Sequence, residues 1–302
     1  MNFDLPSALL DLLRSKGINF STDYNVSARS SFRIGGRVAL ALFPKSRNEL
    51  VESVRALDGY NIRFEILGNA SNVLFAFDTY RGAFIFTDKL STVFTDGNKI
   101  ISDAGVSLTH LANIAAASSL HGLEFAFGIP ALVGGAVYMN AGAYGGQMSD
   151  VIEYTVAYDR EKDITYRIYD NGFSYRKSHY MSRPIICLGA SFMLPVGDES
   201  EIRIKMAQNM VSRREKQPLE YPSAGSYFKR PEGYFAGKLI EDCGLKGARV
   251  GGAEVSVKHA GFIINTGDAT FKDILELEEK IKERVMQEFG VALEREVRII
   301  AD

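Results

Sequence analysis

Apolar residues recur at intervals of three and four positions in several stretches of the chain, a spacing that predicts amphipathic helices. The pattern is clearest after residues 46–49 (SRNE), a capping box that precedes Leu50, Val54 and Leu57. Thr270 and Asp273 likewise open a long periodic stretch near the C-terminus. The predicted helices lie around residues 7–13, 46–57, 107–115, 202–210, 235–240 and 270–289.

Short apolar runs bounded by turn-forming residues predict strands between these helices. Residues 221–233 are polar and contain glycine, and they are expected to form a loop. The character of the sequence changes past Pro218, and the predicted boundary between a two-part N-terminal body and a C-terminal α+β domain lies near residues 194–198. The predicted strands are residues 62–67, 82–87, 99–102, 151–159, 164–169, 184–194, 253–257, 261–265 and 295–300.

The composition is that of a folded chain with two or three domains. The 302 residues are 46% hydrophobic and 24% charged, which excludes a wholly disordered chain, a collagen and a small disulfide-stapled scaffold. Lys and Arg number 35 against 37 Asp and Glu, and the net charge is -2. The chain therefore has no global attraction for polyanions, and we expect neither a nucleic-acid nor a membrane partner.

The cysteines and histidines are too scattered to form a recognisable metal or redox motif. Cys187 and Cys243 are expected to be buried free thiols. The four histidines include no H-E-x-x-H, so we expect no metal site. Residues 1–4 (MNFD) lack a basic n-region, which predicts no secretory signal and a cytoplasmic location.

A first candidate site is the turn at residues 67–74 (LGNASNVL), directly after a predicted strand. Successive backbone N–H groups in such a turn can bind phosphate oxygens, and Ser71 and Asn72 add side-chain donors. The alternative is an ordinary turn in which Gly68 and Asn69 adopt unusual dihedral angles. The spacing alone leaves both interpretations open.

A second candidate is the glycine-rich segment at residues 128–145 (GIPALVGGAVYMNAGAYG), which has few side chains capable of chemistry. A large flat ligand could lie against this backbone and receive hydrogen bonds from it. The alternative is close helix packing through small residues. Pro130 and the many glycines exclude a membrane-spanning helix here, although the segment is uncharged.

A third candidate is residues 223–231 (SAGSYFKRP), where a serine precedes two cations. Lys229 and Arg230 could bind phosphate or carboxylate, and their charge would make Ser226 a better proton donor. The alternative is a solvated basic turn. Common nucleotide motifs are absent: the chain contains no G-x-G, no G-x-x-x-x-G-K-[ST] and no G-x-S-x-G.

Six segments in one order resemble the UDP-N-acetylenolpyruvoylglucosamine reductase family. The resemblance extends from about residue 25 to residue 300, and the six segments together are far more specific than any one of them. They are residues 30–36 (SSFRIGG), the turn at 68–74, the segment 128–145, residues 175–178 (YRKS), 224–229 (AGSYFK) and 293–300 (LEREVRII).

The resemblance implies an α+β fold with a two-part FAD-binding domain of the vanillyl-alcohol-oxidase type, at residues 1–82 and 83–195. A C-terminal α+β substrate-binding domain would span residues 196–302, with its last strand a candidate to return to the FAD domain. The short path from Lys216 to Ser226 resembles the family's subtype that lacks an extra tyrosine-bearing loop.

The implied reaction is the FAD-dependent reduction of UDP-N-acetylglucosamine enolpyruvate to UDP-N-acetylmuramate by NADPH, in peptidoglycan precursor synthesis. The enzyme is expected to be a bacterial monomer with non-covalent FAD. By resemblance, Arg176 stabilises the substrate carboxylate and Ser226 protonates C2. Glu296 holds the enolic carboxylate through a shared proton, and its neighbour Glu294 is the rival for that role.

The resemblance also assigns binding residues, most of them in the turn and in the glycine-rich segment. The expected cofactor contacts are Arg33, Gly68, Asn69, Ala70, Ser71, Asn72, Gly128, Ile129, Pro130, Gly134, Gly135, Asn140, Gly142 and Ala143. The expected substrate contacts are Tyr144 and Tyr175 along the sugar-nucleotide channel, and Lys216, Lys229 and Arg230 at the UDP diphosphate.

The chain departs from the family pattern at a few positions that affect flavin contacts rather than catalytic groups. Ala70 and Ala131 replace usual glycines, and serines at 30 and 31 replace usual threonines. Ala70 can occupy its position only with a negative φ or with strain.

Two other functions remain as alternatives to the reductase. The first is an oxidase of the same fold, in a version that tethers its flavin through His or Cys. Residues 69–71 contain neither residue, which argues against that version. The second is a non-enzymatic nucleotide-binding module, which would not explain the joint presence of Arg176, Ser226 and Glu296.

Overall fold

A computed structural model describes residues 5–302, so the expectation drawn from residues 1–4 lies outside the described residues. Every helix predicted from periodicity is present. The helices of the described chain are α1 (Ser7–Ser15), α2 (Arg47–Gly59), α3 (Leu108–Ala117), α4 (Val133–Met139), α5 (Glu199–Lys216), α6 (Ala236–Asp242) and α7 (Phe271–Phe289).

The strands are short, and most of them follow the predicted runs. They are β1 (Phe20–Asn25), β2 (Arg37–Leu42), β3 (Phe64–Leu67), β4 (Val73–Phe75), β5 (Thr79–Phe86), β6 (Val93–Asp96), β7 (Lys99–Asp103), β8 (Gly142–Ala143), β9 (Gly146–Gln147), β10 (Ile152–Asp159), β11 (Ile164–Ile168), β12 (Ile185–Met193), β13 (Ser223–Ser226), β14 (Arg249–Val250), β15 (Ala253–Val255), β16 (Phe262–Asn265) and β17 (Arg298–Ile300).

The chain divides into two compact units, each built from separate stretches of sequence. Unit 1 comprises residues 1–23, 39–69 and 82–212, and unit 2 comprises residues 24–38, 70–81 and 213–302. The three-part division at residues 82/83 and 195/196 stays a prediction.

Unit 1 contains an antiparallel five-stranded sheet in the order β11-β10-β12-β7-β6. A four-stranded sheet has the order β1-β2-β5-β3, with β3 and β5 parallel. One core cluster includes Leu111, Val137 and Phe192, and another joins α1 and α2 through Leu9 and Leu57. The parallel β3 strand matters for function, because the first candidate turn begins at its carboxyl end.

Unit 2 contains an antiparallel four-stranded sheet in the order β13-β16-β15-β14. Helices α6 and α7 contact each other, and α7 also contacts β14 and β15. The buried core includes Phe32, Leu239, Ile263, Leu277 and Ile281. The last strand, β17, runs parallel to β4, a pairing that lies wholly within unit 2.

Side-chain caps explain where the main helices begin. The Thr270 hydroxyl accepts from the Asp273 N–H at 3.2 Å, and the Asp273 carboxylate accepts from the Thr270 N–H at 2.8 Å, a complete capping box. Ser46 caps α2 by accepting from the Glu49 N–H at 3.1 Å. The Glu49 carboxylate accepts from the Lys45 N–H at 2.9 Å, so the return bond of the predicted box reaches one residue further back.

The structure corrects two interpretations of local structure. Residues 221–233 are not all loop, because they contain strand β13, which pairs with the buried strand β16. Its sequence, SAGS, has low intrinsic strand propensity, so the pairing partner determines its conformation. The glycine-rich segment contains helix α4, which agrees with the alternative of close helix packing, and the start of a β8–β9 hairpin, which was not predicted.

The cysteines are free, as predicted, but both are only partly buried rather than buried. In residues 5–302, no group of three or more His, Cys, Asp or Glu side chains is placed to hold a metal ion. None of the helices in this range is both long enough and apolar enough to cross a membrane.

Candidate active site

The first two candidate segments meet in unit 1. Asn69, two residues after β3, donates its side-chain amide to the Pro130 carbonyl at 3.3 Å. A Cβ atom added to Gly68 would lie 3.4 Å from the Leu132 side chain. Residues 68 and 69 of the turn therefore contact the glycine-rich segment within unit 1, 61 residues further along the chain.

Two adjacent glycines at the start of α4 play different structural roles. The Gly134 N–H donates to the Ala104 carbonyl at 2.8 Å, and a Cβ atom there would lie 3.0 Å from the Ala104 Cβ. Gly135 is exposed, and a Cβ atom there would have nothing within 4 Å. Close packing therefore accounts for Gly134, whereas Gly135 presents bare backbone on an open face.

Asn140 ends α4 in the left-handed conformation, with φ 42°. Its side chain is buried and is used by the protein itself: Oδ1 accepts from the Ser149 N–H at 2.9 Å, and Nδ2 donates to the Ser174 carbonyl at 3.1 Å. These bonds hold the loop of residues 174–176 against the glycine-rich segment.

Arg176 lies on that loop, half-buried and with φ 56°. Its Nη2 donates to the Gly142 carbonyl at 3.3 Å, and its guanidinium lies 5.1 Å from the centre of the Tyr175 ring. Tyr175 and Tyr144 are both exposed. The structure therefore brings Arg176 and both predicted channel tyrosines to the glycine-rich side of unit 1.

Ala70, on the unit 2 side of the turn, bears backbone strain. Its side chain is buried and its φ is 47°. Of the two possibilities expected for an alanine here, a negative φ or a strained backbone, the structure has the strained backbone. Its carbonyl accepts from the Ser31 hydroxyl at 3.3 Å. Arg33, two residues further on, is exposed and also has a positive φ of 56°.

Asn72 joins the turn to the C-terminal segment of unit 2. Its Nδ2 donates to the Glu296 carbonyl at 3.1 Å, and its own carbonyl accepts from the Arg298 N–H at 3.0 Å. The Asn72 side-chain amide therefore binds the backbone of the C-terminal segment, next to the residues where β4 and β17 begin to pair.

Ser226 and Glu296 lie on neighbouring segments. Ser226 ends β13 with an exposed side chain, after Gly225 with φ 79°. The Glu296 N–H donates to the carbonyl of Tyr227 at 2.9 Å. Two residues predicted to act on the same carboxylate and its adjacent carbon are thus held close by main-chain bonding.

Behind these segments lies a buried carboxylate that the sequence analysis did not identify. Glu278, on α7, accepts from the Tyr227 hydroxyl at 2.7 Å and from Arg295 Nε at 2.8 Å, and it also pairs with Lys282. Burial opposes the charge, but the bonds from Arg295, Lys282 and Tyr227 together lower the Glu278 pKa. Burial and the adjacent Glu278 charge raise the Tyr227 pKa, so its hydroxyl stays a donor.

The predicted diphosphate ligands have different surroundings. The Lys229 ammonium pairs with the Glu294 carboxylate. Arg230 is exposed, with its guanidinium 4.3 Å from the centre of the Phe235 ring. Lys216 is exposed at the end of α5.

Asn265 is a second buried residue that the sequence analysis missed. Its Nδ2 donates to the Phe32 carbonyl at 2.9 Å, and its Oδ1 accepts from the N–H groups of Gly267 at 2.8 Å and Ala269 at 3.1 Å. It holds the segment that carries Ser31 and Arg33 to the sheet of unit 2. A lone Asn at a strand end carries no sequence signal for this role.

The surface of unit 1 fits a large cofactor that needs close backbone approach. It offers the exposed Asn69 side chain, the bare Gly135 backbone and no bulky side chain at either position. Residues 38–161 match the FAD binding domain family. The fold and this surface therefore define a flavoprotein, as the sequence indicated.

The second family match and the curated relatives identify the kind of flavoprotein. Residues 217–300 match the family described as UDP-N-acetylenolpyruvoylglucosamine reductase, C-terminal domain. The chain is 48% identical over 274 residues to a UDP-N-acetylenolpyruvoylglucosamine reductase of Clostridium novyi, covering 90% of this chain and 89% of the relative. This chain belongs to the UDP-N-acetylenolpyruvoylglucosamine reductase family.

Solved structures agree with the family and with the fold. A UDP-N-acetylenolpyruvylglucosamine reductase from Thermus caldophilus is 32% identical with a TM-score of 0.77, covering 93% of this chain and 98% of that one. A variant of berberine bridge enzyme, 16% identical with a TM-score of 0.50, covers 63% of this chain and 44% of that one. The second likeness concerns the fold alone, and both agree with the expected FAD-binding architecture.

Proposed function

We propose that this chain reduces UDP-N-acetylglucosamine enolpyruvate to UDP-N-acetylmuramate with electrons from NADPH, passed through non-covalently bound FAD. Family membership supports the reaction. The observation that carries the assignment of roles is the 2.9 Å bond from the Glu296 N–H to the Tyr227 carbonyl. Ser226, the proposed proton donor, directly precedes Tyr227, so this bond supports a common site for Ser226 and Glu296.

FAD, when bound, supplies hydride transfer between NADPH and the substrate. The residues proposed to hold FAD are those of the turn and of the glycine-rich segment, with Arg33 in addition. Among them, Arg33, Asn69, Pro130 and Gly135 are exposed. Asn72 and Asn140 use their side chains within the protein, so their proposed contribution to FAD is through shape and backbone.

Arg176 is proposed to bind the substrate carboxylate. A guanidinium can donate two parallel hydrogen bonds to a carboxylate, and its charge stabilises the negative charge that develops there. The bond to the Gly142 carbonyl and the Tyr175 ring orient the guanidinium in advance.

Ser226 is proposed to deliver a proton to C2, and Glu296 to hold the enolic carboxylate through a shared proton. An exposed hydroxyl can donate a proton and regain one from solvent, which suits Ser226. For the diphosphate, Lys216, Lys229 and Arg230 are the proposed ligands, of which Lys216 and Arg230 are exposed and Lys229 pairs with Glu294.

The test follows flavin absorbance in two steps on purified holoenzyme without oxygen. NADPH is added first, and bleaching of the oxidised flavin band is expected. The enolpyruvyl sugar nucleotide is added next, and rapid return of the band is expected. Return of the band only when air is admitted would instead indicate an oxidase. Failure to bind FAD at all would contradict the cofactor assignment.

We also propose that the enzyme acts as a monomer in the bacterial cytoplasm, without a nucleic-acid or membrane partner. The near-neutral net charge of -2 supports the absence of polyanionic partners. Light scattering coupled to size-exclusion chromatography tests the monomer, and a mass near twice 33.3 kDa would contradict it.

A further inference from the structure

We propose that Glu278 is a positioning residue for catalysis, which holds the segments of Ser226 and Glu296 in register through Tyr227 and Arg295. This inference rests on the proposed function of Ser226 and Glu296. It concerns a residue outside the sequence motifs, on the long helix α7.

The geometry of Glu278 links both catalytic segments at one carboxylate. Glu278 is fully buried. Tyr227, which directly follows Ser226, donates its hydroxyl to Oε2 at 2.7 Å. Arg295, which directly precedes Glu296, donates Nε to Oε1 at 2.9 Å and to Oε2 at 2.8 Å. One carboxylate therefore fixes the immediate neighbour of each proposed catalytic residue.

The main chain joins the same two segments independently. Phe228 and Arg295 form a β-bridge, and the Glu296 N–H donates to the Tyr227 carbonyl at 2.9 Å. Main-chain bonds alone allow a pair of short segments to slide or twist. The Glu278 carboxylate, contacted from both segments, adds a constraint on their side chains, so small displacements of Ser226 relative to Glu296 become costly.

The side-chain directions fit this role. Tyr227 is buried, with its ring against Phe32 and Phe228, whereas the preceding Ser226 is exposed. A rigid, core-facing tyrosine thus anchors the residue whose side chain faces outward. Burying a charged carboxylate is expensive unless several donors satisfy it, and here Tyr227, Arg295 and Lys282 do so.

The alternative is a purely structural ion pair, and matched variants separate the two. Tyr227→Phe keeps the ring packing and removes one donor from the carboxylate. Glu278→Gln keeps the shape and removes the charge. Glu276→Gln is the control, because Glu276 lies on the same helix, is exposed and forms an ion pair with Lys280 of that helix.

The experiment measures the two half-reactions of each FAD-loaded variant by stopped-flow absorbance. We expect Tyr227→Phe and Glu278→Gln to slow reoxidation by the enolpyruvyl sugar nucleotide by about 10- to 100-fold, the size of effect that misplacement of a reacting group produces. Reduction by NADPH and the Kd for the sugar nucleotide should stay as in the wild type. In a Ser226→Ala background, Tyr227→Phe should cause no further loss.

Wild-type protein is measured first, which separates this proposal from the proposed function. If the sugar nucleotide does not reoxidise wild-type enzyme, the proposed function and this inference both fail. If wild type reacts but Tyr227→Phe does not slow it, only the positioning role fails. Equal losses in both half-reactions, or a full additional loss in the Ser226→Ala background, would also overturn it. If Glu278→Gln does not fold, the Tyr227→Phe variant alone tests the positioning role.

Discussion

Lys229 and Glu294 are joined twice, once through the main chain and once through their side chains. The Lys229 N–H donates to the Glu294 carbonyl at 2.8 Å, and the Lys229 ammonium pairs with the Glu294 carboxylate. The carboxylate of Glu294, which the sequence presents as the rival of Glu296 for one role, is therefore engaged with a lysine of the protein.

Glu296→Gln should slow reoxidation of the flavin by the enolpyruvyl sugar nucleotide by about 10²-fold or more, as loss of a preorganised transition-state contact typically does. Glu294→Gln should leave this rate nearly unchanged, because its carboxylate is exposed and already paired. Its effect on the free energy of unfolding should stay below about 1 kcal/mol. Stopped-flow absorbance of the two variants measures the contrast, and the reverse order of effects would make Glu294 the functional residue.

Ser226→Ala should slow the same oxidative half-reaction by about 10²- to 10⁴-fold, the usual contribution of a positioned general acid. Reduction by NADPH should be unaffected, because no proton is needed at C2 in that step. Ser223→Ala, at the other end of β13, is a matched control of the same chemical change. An equal loss in both half-reactions would point to a binding defect instead of a lost proton donor.

Stability below neutral pH should depend on Glu278. Hydrogen bonds from Arg295, Lys282 and Tyr227 outweigh burial and lower its pKa in the folded protein from the ordinary value of 4.5. The ionised carboxylate therefore stabilises the fold fully above pH 4.5, and this contribution is lost as pH falls through the lowered pKa.

The measurement is urea unfolding of wild type and Glu278→Gln across a pH series. The difference in unfolding free energy should be constant near neutral pH and should shrink steadily below pH 4.5, the ordinary pKa of this group. The contributions of the other acidic groups to this difference cancel, since both proteins contain them. A difference that is the same at every pH would mean that the Glu278 pKa does not change between the unfolded and the folded protein, which would contradict this prediction.

The sequence predicts best where local signals and tertiary packing agree. Helix α7 combines a capping box at Thr270 with a regular apolar face and a stop at Gly290, and it forms as expected. Strand β13 was missed, because small residues dominate it and its pairing partner determines its conformation. Strand β2, RVALAL, was also missed, although it is a short apolar run of the kind that predicts a strand.

The candidate site also contains residues that the sequence predicts and residues that it misses. The motif segments carry their own signals, so their positions could be inferred, and the resemblance supplied the roles. Glu278 could not be found this way, because in the charged stretch of α7 it resembles a solvated residue. Only its partners reveal it, and they lie 51 residues away at Tyr227 and 17 residues away at Arg295.

The two adjacent glycines of α4 allow FAD contact to be separated from packing. The methyl group of Gly135→Ala would meet no atom of residues 5–302 within 4 Å. The apoprotein should therefore be as stable as wild type or up to about 1 kcal/mol more stable, since Ala favours a helix over Gly. If FAD lies against this backbone, the added methyl should weaken FAD binding by about 10- to 100-fold, the equivalent of about 1–3 kcal/mol of overpacking.

Gly134→Ala should behave in the opposite way, because its Cβ would lie 3.0 Å from the Ala104 Cβ. We expect the apoprotein to lose about 1–3 kcal/mol of unfolding free energy, the usual cost of overpacking a tight contact. Urea unfolding of apoprotein and fluorescence titration with FAD measure the two quantities separately. Unchanged FAD affinity in Gly135→Ala would remove this glycine from the cofactor surface, because no atom of the described residues lies within 4 Å of the added methyl group.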